Sequence, residues 1–68
     1  MQKYLVVSVG TDPADATALA VANDCCGFYT GLPENMAAQA ASEGWTLPCV
    51  LTDDGTGFIS AWTPAVVP

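Results

Sequence analysis

Hydrophobic and polar positions along the chain change period several times, and each change marks an element. Residues 3–9 are rich in β-branched and aromatic side chains and stop at Gly10, the signature of a strand. Leu5, Val7 and Val9 alternate onto one side, and Tyr4, Val6 and Ser8 onto the other. Apolar residues on both sides predict that this strand lies at the centre of its sheet.

The spacing then turns helical. Asp12 can accept from free backbone N–H groups, Pro13 suits the first helical position, and Asp15 adds negative charge where the dipole favours it. Ala18, Leu19, Ala22, Cys25 and Cys26 share one stripe, which predicts a helix running to about residue 26 and stopped by Gly27. Residues 28–32 read as a connector with two adjacent aromatics, Phe28 and Tyr29. A shorter helix is expected over residues 33–42, closed by Gly44, with Met36, Ala37, Ala40 and Ala41 as its apolar side. Alanine covers little area but lets backbones approach closely, so that side suits tight packing on the sheet or against another subunit.

The last third reads as a hairpin. Residues 45–52 and 58–62 are its strands, and the glycine-containing segment 53–57 is its turn. Pro48 removes a ladder donor, which predicts an edge strand or a bulge. Residues 64–68 (Pro-Ala-Val-Val-Pro) follow as an apolar tail. The expectation is one α+β domain over residues 1–63, in β-α-α-β-β order. Its sheet would be two- or three-stranded and mainly antiparallel, with helices on one face.

Length makes such a core marginal. A chain of 68 residues buries only about 60% of the surface its unfolded form exposes, and small scaffolds lean on disulfides, a metal or oligomerisation. With 51% apolar and 12% charged residues, the composition belongs to a folded chain. Seven carboxylates face a single cation, Lys3, for a net charge of −6. That balance argues against nucleic acid, whose phosphates need several Lys or Arg, and against anionic membrane surfaces. The carboxylates are scattered rather than clustered, unlike a mimic of DNA. The apolar run 4–9 is far shorter than the roughly 20 residues a bilayer requires. Thr11-Asp12-Pro13 interrupts the start too early for a signal peptide, so synthesis in the cytoplasm is expected.

Candidate chemistry is sparse. The chain has no histidine, which removes the commonest general base and zinc ligand. Cys25 and Cys26 are adjacent rather than C-x-x-C, and no imidazole is present to activate them. One of them could pair with Cys49, but free thiols acting as small hydrophobes are the favoured reading. A three-cysteine metal or redox site is the third alternative for function. Asp53-Asp54-Gly55 holds only a fragment of a calcium loop and reads first as a turn. Phosphate-cradle, dinucleotide and nucleophile-elbow glycine motifs are absent. Neither an enzyme nor a cofactor is expected.

What remains is surface. Six aromatics, Tyr4, Phe28, Tyr29, Trp45, Phe58 and Trp62, exceed what so thin a core encloses. Aromatics near a surface anchor protein interfaces, and apolar chain ends dock on neighbours or add to sheet edges. Trp45, Trp62, Tyr29, Pro64, Val66 and Val67 are therefore the candidate partner-binding residues. The expected partner is a protein or a second copy, with no nucleic acid and no membrane. The first functional reading is a small assembly protein that decorates or cements a larger particle. Abundant small residues and scarce bases suggest a bacteriophage virion accessory protein that decorates a capsid. The alternative is an acidic inhibitor or anti-defence protein occupying a basic groove on a host factor.

Overall fold

The computed structural model describes residues 2–56 and 59–67. Strand β1 (Gln2–Val7) leads into helix α1 (Pro13–Ala22), then strand β2 (Gly27–Thr30). A 3₁₀ turn (Glu34–Met36) runs into helix α2 (Ala37–Glu43), followed by strands β3 (Cys49–Asp53) and β4 (Ile59–Pro64). The fold is α+β, with four strands in the order β2-β1-β3-β4. β1 is parallel to β2 and antiparallel to β3, and β3 is antiparallel to β4. β1 is therefore an inner strand, as its two apolar sides predict, and β3–β4 form the expected hairpin, although its first strand begins at Cys49 rather than Trp45 and its second runs on to Pro64.

Three expectations are corrected. Residues 28–32 are not merely a connector, since Gly27–Thr30 pair with β1 and make the sheet four-stranded and mixed. A parallel pair needs a crossover, and α1 supplies it. The strand escapes notice because Gly27 and Gly31 leave too few residues for an alternation to register. Nor do the helices share a face. Leu5, Val7 and Val50 close one core with Ala16 and Ala20 of α1. Val6, Cys49, Leu51 and Ile59 close the other, beneath Leu32, Met36, Trp45 and Trp62. Finally, Pro48 marks no edge: it precedes β3, an inner strand, through a cis Leu47–Pro48 peptide.

Helix details shift for the same reason. Asp12 accepts from the Ala14 N–H at 2.8 Å with Pro13 behind it, so α1 starts as predicted. It ends at Ala22 rather than near Cys26, because Asn23 caps it and Asp24 turns to φ 57°. Its buried residues are Ala16 and Ala20, whereas Ala18 and Ala22 of the predicted stripe are exposed. An alanine-rich helix has no contrast from which to read a face. In α2 only Ala40 is buried, with Met36 half-buried just before it; Ala37 and Ala41 are exposed. Gly57 and Phe58, placed by the sequence in the turn and at the start of the last strand, lie outside the described residues, as does Pro68 of the tail.

Candidate functional site

The tail is held by one backbone bond and by the side chain of Asn23. Pro64 ends β4, and the Ala65 N–H donates to the Pro48 carbonyl at 3.1 Å, carrying the ladder one step further. Asn23 then grips the next residue from both sides. Its Nδ2 donates to the Val66 carbonyl at 3.0 Å, and its Oδ1 accepts from the Val66 N–H at 2.8 Å. The same amide nitrogen donates to the Leu19 carbonyl at 2.8 Å, satisfying the open end of α1. Ala65 packs against the α1-side core. Yet the Val66 and Val67 side chains stay 69% and 68% exposed. A bonded backbone and an exposed side chain thus coexist at Val66. Beside Val66 lies a hollow of about 260 Å³, also walled by Lys3, Asp24, Thr52 and Thr63.

The aromatics form two separate pairs. Trp45 and Trp62 meet with ring centroids 6.2 Å apart, tilted by 40°. Both are half-buried against the α2-side core, and Trp45 Nε1 donates to Glu43 at 3.4 Å. Tyr29 is 44% exposed, and its ring lies 5.7 Å from that of Tyr4. Tyr4 also leans over Gly27 of the neighbouring strand, where an added Cβ would touch its ring at 4.0 Å. That cover compensates for a glycine inside a strand. The Tyr4 hydroxyl donates to Gln2 Oε1. Its phenol titrates above the ordinary value, through loss of water first and the adjacent Cys26 thiol second.

The cysteines are free thiols in three settings. Cys25 packs on the α1 side and Cys49 is fully enclosed on the other, so the sheet separates them. Cys26 is exposed and its thiol faces the Lys3 carbonyl at 3.2 Å. Burial pushes the Cys49 thiol up; burial and then the neighbouring Cys26 push up Cys25. Thiolate is the reactive form, so a disulfide reagent near neutral pH will modify Cys26 first and Cys25 more slowly. Cys49 will react only at the rate of global opening. Mass spectrometry of the time course checks the order; Cys49 reacting as fast as Cys26 would mean that the α2-side core is open.

The acidic turn bonds to its own backbone and to the Thr56 hydroxyl. Asp53 accepts from the Gly55 N–H at 2.7 Å, and Asp54 accepts from the Thr56 N–H and hydroxyl at 2.9 and 2.6 Å. These are the local bonds by which Asp nucleates turns. Among the described residues, no three His, Cys, Asp or Glu side chains converge as a metal site, and no helix is long and apolar enough to cross a membrane.

Sequence reasoning missed Asn23 and Tyr4 as organisers of these surfaces. Asn at a helix end is a legible cap signal, but its reach across 43 positions to Val66 is not. No family model matches the chain, and no curated protein or solved structure matches it either.

Proposed function

We propose that this chain is a non-enzymatic, protein-binding assembly subunit that docks through Val66 and Val67 onto an apolar recess of a larger particle. One observation carries the reading: two adjacent valines kept in water, the first with its backbone N–H and C=O both bonded to Asn23. Water disfavours such side chains, and fixing them in advance removes the ordering cost of an interface. A preordered apolar anchor suits a decorating or cementing protein. The virion version of this role rests on composition alone.

Co-sedimentation of the purified chain with large assemblies from its native source tests the proposal. Val66→Asp with Val67→Asp is expected to abolish attachment. Asn23→Ala keeps both valines in the sequence and Ala65 bonded to Pro48, but frees the chain from Val66 onward. Ordering about two residues costs about 1–2 kcal/mol each, so attachment should weaken about tenfold or more. Unchanged attachment in either variant overturns the proposal. Raising salt from about 0.05 to about 0.5 M, where screening is nearly complete, should change it little. A steep loss would instead favour the basic-groove inhibitor.

A further inference from the structure

The two outer strands of the sheet are protected to different degrees. Ala65 donating to Pro48 fixes the phase of the β3–β4 ladder, so Thr63 and Ala61 bond inward while Trp62 and Pro64 turn their backbones outward. Proline has no N–H to offer there, and the Thr52/Asp53 register shift bends the far end. Proline and bulges are the usual guards of an exposed edge. β4 has both.

β2 has neither. The Gly31 N–H donates to the Val7 carbonyl at 2.6 Å and closes the β1–β2 ladder. Alternation then turns the Tyr29 backbone toward β1, and Phe28 and Thr30 each present an N–H and a C=O to the open side. No residue from 25 to 33 is charged, although the chain carries −6 overall. An unguarded, uncharged edge is a template for another strand.

We infer that the β2 edge is a homodimer interface, in which two copies pair antiparallel about a twofold axis through Tyr29. The register is self-complementary. Phe28 of one copy faces Thr30 of the other, and each such pair exchanges both bonds. Tyr29 faces its own copy as the closely spaced, non-bonded pair, with Cα atoms about 4.5 Å apart. The Tyr4–Tyr29 contact then continues as a four-ring row across the seam, the aromatic cross-strand pairing that stabilises sheets. A second copy is favoured over a foreign strand for two reasons. The strip repels no like charge, and the symmetric contact repeats one patch on both partners, as twofold dimers do. The sheet separates Cys25 from Cys49, so that disulfide does not support the small core, and association is among the other supports open to a chain of this size. Such a dimer presents two Val66–Val67 anchors, away from the seam, on β4's side of the sheet.

The test is light scattering with size exclusion across a concentration series, with oxidative trapping beside it. The full chain should move from one to two chain masses as concentration rises. Thr30→Pro removes an outward N–H without touching the inner ladder, and is expected to stay monomeric with an unchanged circular dichroism spectrum. Tyr29→Cys in a Cys26→Ser background should form an intermolecular disulfide under mild oxidant, since a 4.5 Å pair lies at the close end of the allowed range, about 4.4–6.8 Å. A single chain mass at every soluble concentration, or trapping no faster than for Ala61→Cys, exposed on β4 at the opposite edge of the sheet, overturns the inference. The outcomes separate from those of the tail proposal. A monomer that still co-sediments through its valines removes only the dimer, and a dimer that never co-sediments removes only the particle.

Discussion

Leu5→Ala is expected to lower stability by about 3 kcal/mol, within the range of about 2–5 kcal/mol for buried leucines. Leu5 is fully enclosed on an inner strand, between Ala16 and Ala20 of α1 and Val50 of β3. Its neighbours set the size of the loss. A cavity is relieved when surrounding side chains swing into it; Ala16 and Ala20 have no torsion to swing, so any relief falls to Val7, Val50, Leu19 and Phe28 of the same cluster. The gap opens under the helix that joins β1 to β2, so it loosens both sheet neighbours of that crossover. At about 0.05–0.15 kcal/mol per residue, a domain of this length has roughly 3–10 kcal/mol in total. The variant should therefore melt about 12–24 °C lower, or fail to fold. Urea titration at fixed protein concentration, followed by circular dichroism, checks it. Val9→Ala, at an 83% exposed position, is the control and should stay within about 0.5 kcal/mol of the parent. Equal effects at both positions would mean that the α1-side core is not closed.

Gly31→Ala is the second large effect, and it arises from backbone geometry. Gly31 sits at φ +88°, and a Cβ built there would lie 2.7 Å from Val9 Cγ2. An L-residue held in that region costs about 1–2 kcal/mol, and the overlap adds a further steric penalty. The Gly31 N–H also closes the β1–β2 ladder, so displacing it pulls at the end of the outer strand. We expect a loss of about 2–4 kcal/mol, at the upper end of ordinary substitutions. Gly44 isolates the conformational share: its φ is +72° with nothing within 4 Å of an added Cβ. Gly44→Ala should lose only about 1–2 kcal/mol. Adding Val9→Ala to Gly31→Ala should recover the difference, because the clashing methyl is gone while the strain remains. A double-mutant cycle measures that coupling. A cycle that closes to zero would show that Val9 turns aside at no cost.

The particular residues show how far sequence could reach. β1 was legible because residues 4–7 put apolar side chains on both sides, as an enclosed strand requires; Val9, expected beside Leu5 and Val7, instead lies past the strand's end at Val7 and is exposed. The start of α1 was legible because Asp12 and Pro13 act on their immediate neighbours. The acidic turn was legible for the same reason, with Asp53 and Asp54 bonding two residues ahead. The candidate surface residues were named from chemistry alone, by asking which apolar groups a thin core has to leave out. All of these are decisions made within a few positions of chain.

What tertiary structure decided runs over longer distances. Four residues between two glycines became a strand because β1 offered an unfilled ladder and α1 returned the chain beside it. The face that α1 buries was set by the sheet, since a run of alanines gives no preference of its own. Asn23 became the clamp of the tail only when β4 brought Val66 back to the end of α1. Local sequence fixes which backbone states are cheap; pairing across the sheet determines which of them are satisfied. In a chain this short, that second step also determines which edge and which apolar pair are left facing outward.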